Sequence, residues 1–208
     1  EAKAMDFRDK EDYSMLWTAN GSGATVVAAD ANGWDGLYHL CDSTNRFVGA
    51  AATTTSSTLT LDLLDEAMDS IRGNCDMIIT SKKGRRHINN LLQTLQRFND
   101  KIEVKGGFRL LSYNDVPIYT SSNCADTGDL HLTAYGSGNP GLTNLTAGTM
   151  SSIFMLDTSK IFMGVLTDIS VQPLAKVSSQ YDEFDIYCDE VPVIRDPKAM
   201  SIIHFNAS

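Results

Sequence analysis

The most restrictive feature of the sequence is the apolar series Ile88, Leu91, Leu92 and Leu95, which falls at i, i+3, i+4 and i+7. A helix gathers these four side chains on one face, so the segment after Ser81 is predicted to be a helix lying against a core. Ser81 has the hydroxyl needed to cap it. Upstream, Met77-Ile78-Ile79 is a short apolar run bounded by Asn74 and Ser81, which fits a buried strand. Before that, Leu63, Leu64, Ala67, Met68 and Ile71 again recur at helical spacing. Thr60 is its predicted N-cap, Asp62, Asp65 and Glu66 sit near the positive end of the dipole, and Arg72-Gly73 closes it. Downstream, after a break at Asn99-Asp100 and Gly106-Gly107, the strand-like runs Phe108–Tyr113 and Val116–Tyr119 flank Asn114-Asp115, a hairpin signal without the usual glycine. Pro117 cannot donate to a ladder and belongs on an edge or at a strand start. Helix, strand, helix and hairpin over Leu59–Asn123 make the fold class α+β.

Around this segment the chain is less explicit. Glu1–Trp17 is dense in mixed charge and is predicted to be the last turns of an exposed helix, ended by Asn20-Gly21-Ser22-Gly23. Ala50–Thr58 is a low-complexity Ala/Thr/Ser stretch without apolar period, a linker in this reading. Cys124–Met150 is rich in Gly, Ser, Thr and Asn and is predicted to be a long surface loop. Ile153–Leu156 and Ile161–Leu166, joined through Asp157-Thr158-Ser159-Lys160, are readable as a second hairpin, and Ile169–Ala175 follows with Pro173 inside it. From Gln180 the sequence alternates: Phe184, Ile186 and Cys188 on one side, Glu183, Asp185, Tyr187 and Asp189 on the other, a half-buried strand. Val191-Pro192-Val193 extends it, Asp196-Pro197 turns, and Ala199–Phe205 is the closing strand.

Bulk properties exclude several function classes. A chain of 208 residues is long enough to bury roughly 70% of its unfolded surface. A formal charge of −9 argues against a dedicated nucleic-acid binder, whose phosphate contacts need clustered cations. The four cysteines, at 41, 75, 124 and 188, contain no C-x-x-C pair, so neither a zinc site nor a disulfide framework is expected. No secretory signal is visible, and the uncharged Leu130–Leu156 is too rich in Gly, Ser, Thr and Asn for a membrane span.

Candidate chemistry is sparse. Gly136-Ser137-Gly138-Asn139-Pro140-Gly141 matches a dinucleotide fingerprint by letters, but Pro140 and its polar sequel supply no helix N-terminus to hold a pyrophosphate. Asp182, Glu183, Asp185, Asp189 and Glu190 lack the glycine turn of a calcium loop and fit a solvent-facing strand. His39, His87, His131 and His204 are scattered, and Cys41 near His39 is too weak a pairing for a thiol nucleophile. The asparagines of three glycosylation sequons, Asn20, Asn144 and Asn206, mean nothing without secretion. Lys82, Lys83, Arg85 and Arg86 form the one basic cluster. They serve as a phosphate contact, as a solvated first turn, or as ion-pair partners of an acidic neighbouring subunit. Cations there oppose the helix dipole, and no aromatic residues interleave for base stacking. No catalytic, cofactor or metal residue is assigned.

The ordered set "LTLDLLDEAMDSIRGNCDMIITSKKGRRHINNLL" and "GGFRLLSYNDVPIYTSSN" resembles the axial domain of tailed-phage major capsid proteins, the Hong Kong ninety-seven-type fold shared with encapsulins. "WDGLYHL" at 34–40 and the C-terminal "S-x-Q-Y-D-E-F…V-x-R-D-P-K-A" resemble the same family. The resemblance implies a spine-helix end and part of a peripheral domain at 1–56, an axial domain at 57–166 with a surface loop at 124–150, peripheral strands at 167–192, and a closing strand at 193–208. The family's N-terminal arm and extended loop are absent from this chain, so the family's lysine cross-linking is not claimed. The implied function is structural: pentamers and hexamers of a closed icosahedral shell around double-stranded DNA, in a virion assembled in a bacterial cytoplasm. The implied partners are further copies of the chain, DNA without sequence-specific contacts, and a scaffolding protein or maturation protease, with no membrane. By the same resemblance the connector Phe98, Asn99, Asp100, Lys101, Ile102, Glu103, Val104 and Lys105 is the candidate symmetry-axis loop, or else a plain surface connector. An encapsulin-like compartment and an unrelated α+β enzyme or ligand-binding domain are the alternatives.

Overall fold

A seven-stranded mixed sheet organises the molecule. The structure, a computed structural model, describes residues 2–20, 29–30, 33–48, 50–53, 56–94, 101–104, 108–124, 150–174 and 184–206. In chain order, α1 (Ala2–Trp17) precedes β1 (Ala19–Asn20), β2 (Ala29–Asp30), α2 (Leu37–Leu40), β3 (Arg46–Val48), β4 (Ala50–Thr53) and β5 (Ser56–Thr58). Then come α3 (Leu61–Asp69), β6 (Met77–Thr80), α4 (Lys82–Thr94), β7 (Lys101–Val104), β8 (Phe108–Tyr113) and β9 (Val116–Thr120). The chain closes with β10 (Met150–Leu156), β11 (Ile161–Pro173), β12 (Phe184–Ile194) and β13 (Met200–Asn206).

The sheet runs β3-β13-β10-β6-β9-β8-β7, and β10 is its spine. It pairs antiparallel with β13 (Ile153 opposite Ile203) and with β6 (Met155 opposite Ile78). Every residue from Ser151 to Leu156 is buried, as a strand covered on both faces requires. Alternate side chains feed two cores. Ile153 and Met155 join Ile78, Ile118, Ile203 and Phe205 beneath α3 and α4, whose Leu64, Ala67, Ile88 and Leu92 complete that cluster. Phe154 and Leu156 join Met200 and Ile202 on the other face, closed by Trp17 of α1 with Leu37 and Tyr38 of α2. Trp17 meets the Phe154 ring edge-on at 5.3 Å, and its indole N–H donates to the Asn123 carbonyl at 2.8 Å.

The local signals of the central segment are realised. The Thr60 hydroxyl accepts from the Leu63 N–H at 3.2 Å, and Ser81 accepts from the Gly84 N–H at 2.9 Å. Gly73 ends the α3 segment with φ +147°, and a Cβ there would collide with the Asp157 carboxylate. Asn114 and Asp115 both take positive φ, 47° and 63°, so they build the two-residue hairpin turn without glycine. Tyr113 Oη donates to Asp65 at 2.5 Å and fastens that hairpin to α3. Pro117 lies near the start of β9, ahead of the Ile78–Ile118 pairing with β6.

Other expectations need correction. Ala50–Thr58 is not a plain linker: β4 and β5 pair antiparallel, Ala50 opposite Thr58, because backbone pairing needs no apolar period. Ile153–Leu156 and Ile161–Leu166 do not form a hairpin. Burial on both faces keeps β10 inside the sheet, whereas β11 leaves it through a 3-10 turn at Thr158–Lys160 and pairs with β12. The closing strand is present as expected, as β13, and β3 adds to it in parallel.

A polar seam crosses the buried sheet. Thr80 Oγ1 donates to the Ser152 carbonyl at 2.9 Å, Ser81 and Ser151 hydroxyls meet at 2.7 Å, and Ser152 Oγ lies 3.0 Å from His204 Nδ1. His204 is sealed between the strands and the α1–α2 layer, with its ring 5.5 Å from that of Tyr38. Burial, seconded by the charge of Arg46, drives its pKa down to about 3, so the ring is neutral.

Candidate functional site

Two surfaces stand out, and neither is a catalytic cleft. The first is the opening turn of α4. Gly84 is buried there because Thr80 lies directly below, where a Cβ would come within 2.2 Å of the Thr80 hydroxyl. The turn is thus seated on the buried hydroxyls of Thr80, Ser81 and Ser151, which fixes what it presents. Lys82, Arg85 and Arg86, at i, i+3 and i+4, are exposed along one side, and Lys83 is half-buried. His87, next in line, is turned against the Phe205 ring at 5.4 Å, and its pKa is lowered by burial. None of the four cations has an ion-pair partner among the described residues. Four like charges at the positive end of a helix repel one another and the dipole.

The second surface is the ribbon of β11 and β12, which among the described residues pair only with each other. Its base is clamped. Arg195 N–H donates to the Lys160 carbonyl at 3.0 Å, and Asp157 N–H to the Ala199 carbonyl at 2.9 Å. Lys160 lies 3.5 Å from the Asp157 carboxylate and also donates to the Arg72 carbonyl. Hydrogen bonds from Ser159 hold the Asp157 carboxyl below its ordinary pKa. Asp76 accepts from both the N–H and hydroxyl of Thr158, at 3.0 and 2.5 Å.

Beyond this base the ribbon's composition is unusual. Apart from Met5, every exposed large hydrophobic among the described residues lies on the ribbon or at Leu174 directly after β11. Leu166 is 88% exposed, at the first of two register irregularities in the pairing. Residues directly opposite share a face, so Phe162 with Val193, Gly164 with Val191, and then Asp189, Tyr187 and Asp185 form one outer face. Phe162, Tyr187, Val191 and Val193 there are between 39% and 46% exposed. Arg195 lies over the Phe162 ring at 4.4 Å. On the opposite face Glu190, Cys188 and Ile186 are half-buried. The Cys188 thiol donates to Glu190 Oε1 at 3.5 Å, and burial, then Glu190, pushes its pKa up to about 11. Glu11 of α1 reaches this side; burial, then the Glu190 carboxylate, raises its pKa. The ribbon carries Asp168, Asp185, Asp189 and Glu190 and no lysine or arginine.

The remaining candidates are distributed as follows. Lys101–Val104 of the expected axis loop form β7, the outermost strand of the sheet, paired with Phe108–Leu111; Phe98, Asn99, Asp100 and Lys105 lie outside the described residues. So do the 125–149 stretch with its fingerprint-like glycines, His131, Asp182 and Glu183. Asp185, Asp189 and Glu190 occupy the ribbon and do not converge with a histidine. All four cysteines are free, and Cys41 is buried, its thiol pushed up to about 12 by that burial. A cleft of about 410 Å³ opens between Gly73 and the Asn114-Asp115 turn, with Asp69 and Asp115 on its walls. Among the described residues no group of three His, Cys, Asp or Glu side chains is placed to hold a metal ion, and no helix is long and apolar enough to cross a membrane. Sequence reading missed the ribbon as a surface. Its signal was the concentration of Phe162, Val165, Leu166, Val171, Val191 and Val193 with carboxylates and no cation.

Comparison with known proteins places this geometry. No curated protein matches the sequence. Among solved structures, the cryo-EM structure of the holo-SrpI encapsulin complex from Synechococcus elongatus PCC 7942 is similar in fold, with a TM-score of 0.69 over 100% of this chain at 8% identity. The chain spans 64% of that encapsulin chain. The α+β shell-subunit fold expected from the sequence is therefore the fold observed. Residues 2–206 match the family described as SU10 major capsid protein. On that match, which covers nearly the whole chain, the chain belongs to the SU10 major capsid protein family.

Proposed function

We propose that the chain is a structural subunit of a closed icosahedral phage shell, built as pentamers and hexamers around double-stranded DNA, and not an enzyme. The observation that carries this reading is the β11–β12 ribbon, where almost all the exposed large apolar side chains are concentrated. Contiguous apolar surface of this kind marks a protein–protein contact. A specific contact buries about 800 Å² on each partner, and a shell subunit makes several, so none needs to be strong alone. Family membership supplies the kind of partner, other copies of the chain. The net charge of −9 suits a wall that must not adhere to packed DNA.

In this reading the 98–105 segment faces a symmetry axis, supported by the position of β7 at the outer margin of the sheet. Lys82, Lys83, Arg85 and Arg86 serve as intersubunit cations, supported by the exposure of Lys82, Arg85 and Arg86 and by the lack of an ion-pair partner for any of the four among the described residues. A scaffolding protein and a maturation protease are the further partners, and the host cytoplasm is the site of assembly. The test is negative-stain microscopy of the full-length protein produced in bacteria. Closed shells of uniform diameter are expected. Protein that stays monomeric under all assembly conditions contradicts the proposal, and shells that enclose a cargo enzyme and never DNA assign the chain to the encapsulin-like alternative.

A further inference from the structure

Resting on the shell reading, we infer that the outer face of the β11–β12 ribbon receives the cationic first turn of α4 from a second copy of the chain. The two surfaces are complementary in charge, and among the described residues neither finds an oppositely charged side chain. The ribbon's outer face carries Asp185 and Asp189, and neither β11 nor β12 holds a lysine or arginine, while α4 carries Lys82, Lys83, Arg85 and Arg86 without an acid. Neither set forms an ion pair among the described residues.

The chemistry of the outer face also suits long cationic side chains. Along β12 it presents Asp185, Tyr187, Asp189, Val191 and Val193 in alternation, with Phe162 beside Val193. Asp185 and Asp189 are about 13 Å apart at strand rise, a span that Lys82, Arg85 and Arg86 can cover from one helix turn. Their methylene stems lie along Val191 and Tyr187 while their heads meet the carboxylates. Arg195 already demonstrates the mode, its guanidinium stacked on Phe162 at 4.4 Å. Gly164, opposite Val191, carries no side chain and leaves this face low beside Val191 and Val193, which a Cβ there would meet at 3.5 and 3.9 Å.

The same chain cannot satisfy itself easily. Ile88 and Leu92 place α4 on one face of the sheet, whereas Ile161 and Ile194 seat the ribbon base on the other. The contact therefore joins two different patches on successive copies. Such heterologous contacts propagate head to tail and close into rings, as pentamers and hexamers demand.

The experiment uses charge reversal in the full-length protein. Lys82→Glu with Arg85→Glu and Arg86→Glu forms one variant, Asp185→Lys with Asp189→Lys the second, and all five substitutions the third. Shell yield is read by sedimentation at fixed ionic strength, DNA content by absorbance, and subunit folding by thermal melting. Each single-sided variant is expected to melt normally yet lose shells by about tenfold or more. The combined variant is expected to recover most of the yield. Two outcomes overturn the pairing while leaving the shell reading intact: normal assembly of both single-sided variants, or no recovery in the combined one. Normal shells with reduced DNA in the α4 variant also overturn it, by assigning the cations to the genome. If the unaltered protein never assembles, the shell reading fails, and the pairing fails with it.

Discussion

The seven-stranded sheet and the two-stranded ribbon are built from similar residues and used in opposite ways. In the sheet, Phe154, Met155, Ile202 and Ile203 are fully buried, covered by helices on both faces of the same chain. In the ribbon, Phe162, Val171, Val191 and Val193 are equally apolar and stand exposed. A two-stranded ribbon is marginal by itself, and this one is anchored chiefly at its base, where Lys160, Asp157 and Arg195 clamp it and Ile161 and Ile194 pack on the core. The sheet secures the fold of a single subunit, and in the proposed reading the ribbon keeps its apolar area for contacts with other copies.

Truncation separates the two regions most sharply. Phe154→Ala should cost about 3–5 kcal/mol in urea unfolding of the subunit, enough to leave a marginal domain largely unfolded. Val191→Ala should cost no more than about 0.5 kcal/mol in the same measurement while weakening assembly. Equal losses would break the comparison, because the ribbon would then belong to the subunit's own core.

Acid should act through the sheet. Buried His204 titrates at about 3, whereas the unfolded imidazole titrates near its usual 6.5. Below pH 6.5 the unfolded chain binds a proton that the folded chain refuses, so stability is complete above that value and falls progressively toward pH 3. Between pH 7 and 5 the loss should be about 2 kcal/mol by denaturant titration. His204→Gln should flatten this dependence, and an unchanged slope would assign it to other groups.

The clamp between the two regions is next in size. Gly73→Ala forces a side chain into φ +147° and against Asp157, and should cost about 1–3 kcal/mol in thermal unfolding. If Gly73→Ala is neutral, the clamp does not hold the ribbon to α3. Thr60→Ala, which removes the cap of α3, should cost about 1 kcal/mol and leave shell yield unchanged.

The same division explains what the sequence made legible. Thr60, Ser81, Gly73 and the Asn114-Asp115 turn act on their own neighbours, so caps, turns and periodicity announced α3, β6, α4 and the β8–β9 hairpin correctly. The order of the sheet was not legible. It depends on Ile153 meeting Ile203 and Thr80, far apart in sequence, and no local pattern says that β10 will choose them over β11. The second strand of the ribbon was read as half-buried because alternation of apolar and polar residues ordinarily reports burial within one chain, and the first was assigned to a hairpin with β10. Here Tyr187, Val191 and Val193 alternate with half-buried Cys188 and Glu190, yet none of the described residues covers them fully. The basic cluster was visible as charge, but the seating of Gly84 on Thr80, which aims it outward, needed coordinates.

Hydrogen–deuterium exchange of the full-length protein, free and assembled, tests most directly whether the ribbon's surface is completed by other copies. Peptides covering 161–173 and 184–194 should exchange rapidly in the free subunit and become protected in shells, while those covering 150–156 and 200–206 stay protected in both. Ribbon peptides that exchange equally fast in the free and assembled states would contradict the account.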